Sequence, residues 1–122
     1  MARMGLRFED LRVWQSARVL ARDTYAITRQ PAFARDQALT KQVRRSAVSV
    51  MANIAEGFER RRSTAEFARF LTMAKGSCGE LRCHFYVASD QQYITAGELE
   101  RLSANAVQVS RMLAALIRSI RR

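Results

Sequence analysis

The chain has few residues that interrupt helices and few that build cofactor sites. Its 122 residues include one proline, Pro31, and five glycines, so few positions force the backbone out of a regular helix. There is a single histidine, His84, and only two cysteines, Cys78 and Cys83. A di-iron bundle needs two Glu-x-x-His motifs and further inward carboxylates; one histidine four residues after Glu80 does not supply them, so no metal or other cofactor is expected. The two cysteines are about 140° apart around a helix at 100° per residue and cannot face one another. Their spacing is not the CxxC of metal and redox sites, so reduced thiols are expected, with Cys78 filling core. No run of 18 apolar residues is present, so no membrane-spanning helix is expected. The opening MARMGLRFED has basic residues but no apolar stretch ahead of a cleavage site, which points to a cytoplasmic protein rather than a secreted one.

Acidic side chains are also scarce. Eleven Asp and Glu stand against twenty-one Lys and Arg, a formal net charge of +10, and every cation except Lys41 and Lys75 is arginine. Arginine's planar fork pairs bidentately with phosphate and carboxylate. The excess therefore points to a polyanionic partner, although charge governs association and solubility rather than fold.

Helix formers and apolar residues are abundant, the latter at 48%, enough for a packed core. Apolar residues recur at helical spacing in four segments, about 9–29, 36–59, 64–89 and 96–121. In the first, Leu11, Trp14, Ala17, Ala21, Tyr25 and Thr28 share a face, and Pro31 stops it. In the second, Leu39, Val43, Ala47, Val50 and Ile54 make one seam. The third opens on STAE, a capping box of Ser63 and Glu66, and is lined by Phe67, Phe70, Leu71, Ala74, Cys78, Leu81 and Phe85. The fourth opens on a second box, Thr95 and Glu98 in TAGE, and continues through Leu99, Leu102, Ala106, Val109, Leu113, Leu116 and Ile120. Helices of this length span about 30–39 Å at 1.5 Å per residue. The reading is one all-α domain over 1–122, an antiparallel up-down four-helix bundle.

The second segment carries more than a core seam. Val48, Met51 and Ala55 place apolar surface where a lone bundle should meet solvent, so a second copy of the chain is expected there. Beside the seam runs a polar strip containing Asn53 and Glu56, and the third segment presents Ser77, Glu80 and His84. Glu56 and Glu80 are expected to meet Arg44 or Arg45 in a charge-assisted network, within the subunit or across an interface, fixing packing register. The chemical alternative for Ser77, Glu80 and His84 is nucleophilic catalysis. A mid-helix position leaves no free backbone N–H groups for an oxyanion hole, so no catalytic residues are assigned. Gly76 and Gly79 in KGSCGE lack the Walker spacing and are expected to permit close helix approach.

Two arginine groups are candidates for nucleic acid. Arg60, Arg61 and Arg62 lie at the turn between the second and third segments, where one or two cations also complement the helix dipole. Arg111, Arg118 and Arg122 form a strip on the outer face of the fourth. No recognition helix or RNA-recognition motif is present, so contact with phosphates, without sequence readout, is expected.

The stretches FEDLRVWQSA at 8–17, RRSAVSVMANIAEG at 44–57 and EFARFLTMAKGSCGEL at 66–81 resemble the four-helix-bundle family also called 23S ribosomal RNA intervening-sequence proteins. The pairing of NIAEG with GSxxEL carries the specificity of the match, and the fourth segment fits by periodicity alone. The resemblance implies a homo-oligomer, commonly a pentameric ring. It also extends to accessory variability determinant proteins of diversity-generating retroelements, which are basic rings that bind nucleic acid. The functional expectation is a non-enzymatic, cytoplasmic homo-oligomer that binds RNA or DNA through phosphates. The alternative is an assembly or adaptor module whose partner is another protein.

Overall fold

Side-chain caps decide where three of the four long helices begin. The computed structural model describes residues 7–122; the first six residues of the MARMGLRFED opening lie outside the described residues. After a 3₁₀ turn at Phe8–Asp10 come α1 (Arg12–Thr28), α2 (Pro31–Arg35), α3 (Gln37–Glu59), α4 (Thr64–Asp90) and α5 (Ala96–Ile120). Asp36 Oδ1 accepts from the Leu39 N–H at 3.1 Å and starts α3. Thr95 and Glu98 close a full capping box at α5: Thr95 Oγ1 accepts from the Glu98 N–H at 3.1 Å, and Glu98 Oε1 accepts from the Thr95 N–H at 2.8 Å. That backbone bond holds the Glu98 carboxyl below its ordinary range. The box expected at α4 forms only in half. Ser63 Oγ accepts from the Glu66 N–H at 3.1 Å, but Glu66 Oε1 takes the Arg62 N–H, one residue upstream of the cap.

All the described residues are helix, turn or irregular, with no strand among them. The four long helices close a ring of neighbours, α1 on α3, α3 on α4, α4 on α5 and α5 back on α1. The core is lined by Val43, Val50 and Ile54 from α3, Leu71, Leu81 and Phe85 from α4, and Leu102 and Leu113 from α5, all fully buried. Cys78 fills core as expected, and burial pushes its thiol up to about 11 despite nearby Lys75. Cys83 is exposed, and both thiols are free.

Two details differ from the sequence reading. Pro31 ends the first segment but also opens the five-residue α2 from its N1 position, where its missing N–H would have no partner in any case. That short helix drives Phe33 to full burial, with its ring 5.4 Å from that of Tyr93. The buried face of α1 is also rotated from the expected one. Val13, Leu20, Thr24 and Ile27 join Ala17, Ala21 and Thr28 inside, while Trp14 and Tyr25 are only half-buried. Thr24 can enter because its hydroxyl donates to the Leu20 carbonyl at 2.8 Å.

The α4–α5 connection holds the one positive φ among the described non-glycine residues, Gln92 at 64°. It ends α4 in a Schellman pattern: the Gln92 N–H reaches the Ser89 carbonyl and the Tyr93 N–H the Ala88 carbonyl, each at 2.9 Å. Tyr93 then donates its hydroxyl to Asp36 Oδ2 at 3.0 Å, a bond that raises the phenol above its ordinary value. Close helix approach occurs at Gly57. A Cβ there would sit 2.5 Å from Phe70 Cβ, whereas one at Gly76 or Gly79 would meet nothing within 4 Å. The expectation for Gly76 and Gly79 is therefore corrected: within the chain they face outward.

Candidate functional site

The α3–α4 turn is less cationic than its RRR run suggests. Arg60 caps α3 and donates to Glu56 Oε2 at 3.0 Å, with Glu66 Oε2 4.0 Å away. Arg62 Nε lies 3.7 Å from Glu66 Oε1. Arg61 donates to the Phe58 carbonyl and lies over the Phe58 ring, 3.6 Å from its centroid. Arg60 covers Phe70 in the same way at 5.5 Å. With Glu59, the stretch from Glu56 to Glu66 holds as many glutamates as arginines. These pairs are exposed, each worth about 0–1 kcal/mol, so a polyanion can compete for the guanidiniums. As a field source, however, the turn is balanced.

Past Arg101, whose charge acts on Glu98, the arginines of α5 have no such counterweight. Arg111, Arg118 and Arg122 are exposed, as are Arg101 and Arg121. After Glu100 the sequence contains no acidic residue, and none of the five makes an ion pair among the described residues. Arg118 and Arg121 stand at the helix C-terminus, where cations are favoured; Arg101 and Arg111 are outside that influence. Arg101 and Arg121 fall outside the seven- and four-residue spacing that links Arg111, Arg118 and Arg122. The run of 22 residues without a carboxylate was the readable signal.

The polar seam between α3 and α4 exists, with different members from those expected. Asn53 Nδ2 donates to the Ser49 carbonyl at 2.9 Å and to Ser49 Oγ at 3.1 Å. Ser49 Oγ lies 2.9 Å from Ser77 Oγ, and Ser46 Oγ lies 3.2 Å from His84 Nδ1. Serine, asparagine and histidine side chains, not carboxylates, thus set the register. The expected charged pairing within the subunit is absent. Glu56 bonds to Arg60, Glu80 is exposed, Arg45 is exposed, and Arg44 Nε donates to Thr28 Oγ1 at 2.8 Å. Helical spacing placed Glu56 and Glu80 at the edge of the seam, and both lean out to solvent. Ser77 and His84 bond to different serines, so they do not form a nucleophile–base pair. Among the described residues no three His, Cys, Asp or Glu side chains are grouped to hold a metal ion.

Of the three expected interface residues, Val48 is exposed, Ala55 is half-buried, and Met51 packs against the chain's own core. The larger group of exposed hydrophobic side chains, Met73, Tyr86 and Val87, is on α4, on a face that also carries Glu80. Met73, Gly76, Glu80, Cys83 and Val87 recur at three- and four-residue steps and are all exposed, with Tyr86 beside them.

A sequence-family model described as 23S rRNA-intervening sequence protein matches residues 9–115. The chain belongs to this family. The match takes in α5 almost to its end, beyond the three stretches that first suggested it. No curated protein sequence matches the chain. Among solved structures, a Bacteroides thetaiotaomicron protein of unknown function from the S23 ribosomal protein family superposes with a TM-score of 0.77. It is 23% identical, and the alignment covers 86% of this chain and 97% of that one. At that identity the likeness shows the fold. For this intervening-sequence family member the chemistry therefore rests on its own surface, where arginines of α5 make no ion pair among the described residues while Arg60 and Arg62 of the RRR turn do.

Proposed function

We propose that the protein is a non-enzymatic, cytoplasmic nucleic-acid-binding factor that works as a homo-oligomer and holds RNA or DNA through its phosphates. One observation carries the reading: five exposed arginines between Arg101 and Arg122 with no acidic residue among them. Phosphate contacts need only charge and reach, and they supply most of non-specific affinity. Assembly multiplies the +10 of each chain and concentrates the field. A pentameric ring of copies meeting through the exposed face of α4 is the arrangement we propose. No helix of the described residues is long and apolar enough to cross a membrane.

The test is the salt dependence of binding to a single-stranded RNA of arbitrary sequence. Log affinity should fall linearly with log salt, by about 0.7 per phosphate contact for single strands. Changing Arg111, Arg118 and Arg122 together to Ser should flatten that slope by about 2 and weaken unrelated sequences equally. The same change at Arg60, Arg61 and Arg62 should flatten it less, because those cations already face glutamates. The opposite ranking would return the site to the turn. Absence of binding at low salt would favour the second reading, a protein-binding adaptor that uses the exposed α4 face.

A further inference from the structure

A groove of about 600 Å³ opens between α1, α2 and α3, lined by Tyr25, Thr40, Lys41, Arg44, Arg45 and Val48 among others. Lys41, Arg44, Arg45 and Val48 follow one another at steps of three, one and three, so one side of α3 turns three cations into a single concavity. No carboxylate lines it. The nearest acid in sequence, Asp36, is committed elsewhere: one oxygen caps α3 and the other accepts from Tyr93. None of the three cations makes an ion pair among the described residues, and residues 1–6 contain no acidic side chain that could supply one.

Arg44 is held ready rather than free to swing. Its Nε donates to Thr28 Oγ1 at 2.8 Å, and the Thr28 hydroxyl donates in turn to the Tyr25 carbonyl at 2.9 Å. Its guanidinium lies over the Tyr25 ring, 4.6 Å from the centroid. This fixes the plane of the half-buried fork and leaves both terminal nitrogens without a partner among the described residues. A planar pair of N–H groups with fixed orientation matches two oxygens of one phosphate. Cations placed to support only the fold would have carboxylates near them, as they do at Arg60 and Arg62.

We propose that this groove binds a phosphate monoester of nucleotide size, with Arg44 as the fixed bidentate donor and Lys41 and Arg45 as flanking charges. A monoester carries close to two negative charges at neutral pH, which suits three cations better than the single charge of an internal diester. The volume exceeds that of a bare phosphate and falls in the range of small-molecule sites. Tyr25 and Val48 offer apolar surface for the organic part. The chemistry is shared by a free nucleoside 5′-monophosphate and by the 5′ end of a strand. The site is separate from the α5 strip and stands or falls without it.

Calorimetric titration with adenosine 5′-monophosphate should show saturable binding at least tenfold tighter than with adenosine. Lys41→Ser combined with Arg45→Ser, both exposed positions, should cut that affinity at least tenfold without moving the melting temperature. Arg44→Lys keeps the charge but removes the fork, and should weaken the monophosphate severalfold more than it weakens chloride-sensitive RNA binding. The α5 triple variant should bind the monophosphate as the wild type does. Equal affinity for nucleotide and nucleoside, or unchanged affinity in the Lys41/Arg45 variant, would overturn the proposal, as would loss of binding in the α5 variant. Two oligonucleotides that differ only in a 5′ phosphate or 5′ hydroxyl then identify the source. A tenfold preference for the phosphate assigns strand ends, and equal binding assigns free nucleotides.

Discussion

Adding one methyl group should have opposite effects at two glycines that look alike in sequence. Gly57 and Gly76 both lie inside long helices, where Gly→Ala gains about 0.8–1 kcal/mol from backbone entropy and helix propensity. At Gly57 the new Cβ would stand 2.5 Å from Phe70 Cβ, 3.2 Å from its Cγ and 3.3 Å from Phe67 Cδ1. Phe70 is 4% exposed and Phe67 8%, so neither ring can swing away and α3 must move off α4. Overpacking of this kind costs about 1–3 kcal/mol or more. Because the contact is with a Cβ and not a flexible tip, the upper part of that range applies. The net expectation is a loss of about 1–2 kcal/mol after the propensity gain. At Gly76 nothing lies within 4 Å, so the propensity gain stands alone. Urea denaturation followed by circular dichroism, at several protein concentrations, measures both. Gly57→Ala as stable as the wild type would refute the packing argument. Gly76→Ala should be more stable when dilute; if it loses stability only at concentrations where the protein assembles, the α4 face is buried between copies.

Three further outcomes rest on the thiols and the caps. A thiol reagent at pH 7 should leave Cys78 unmodified in the native protein and reach it only after denaturation, because that thiol is buried and pushed up to about 11; rapid reaction of Cys78 in the native protein would contradict the core placement. Thr95→Ala should cost about 0.5–2 kcal/mol through the lost cap. Since the Glu98 carboxyl is lowered in the folded state, its own contribution is complete above the ordinary carboxylate range and fades as pH falls through the lowered value. A Glu98→Gln variant should therefore lose its difference from the wild type at low pH, and a difference that persists there would refute the assignment.

The long helices were legible because each has an apolar period and three of them have a side-chain cap within a residue of the first turn. The short α2 was not, since Pro31 reads equally as a stop and as an N1 residue, and only the burial of Phe33 decides between them. The rotation of the α1 face escaped for a similar reason. Trp14 and Tyr25 weigh heavily in a periodicity count, yet both stay half-buried with an arginine over the ring, Arg18 at 5.7 Å from the Trp14 centroid and Arg44 at 4.6 Å from that of Tyr25. At the candidate interface, counting arginines located the RRR turn but not its partners. Whether Arg60 reaches Glu66 depends on how tightly the chain reverses, which is a property of the turn and not of composition. Asn53, Ser77 and His84 lie in the α3–α4 seam, while Glu56 and Glu80 turn outward, because long side chains at a seam's edge can turn to water.

Asp36 has a consequence for how the protein opens. By capping α3 and receiving the Tyr93 hydroxyl, it ties the α2–α3 junction to the α4–α5 turn, 57 residues further along. Gln30 and Glu98 add a second tie at 3.1 Å, 68 residues apart in sequence. The opposite end, at residues 60–63, is held by exposed ion pairs between near neighbours, which added salt screens. Local unfolding events should then be unequal along the long axis. Amide protons around the α3–α4 turn should exchange faster as ionic strength rises, while those beside Asp36 should change little. The molecule would fray from one end, and a bound polyanion, by displacing the glutamates from Arg60 and Arg62, would loosen that same end.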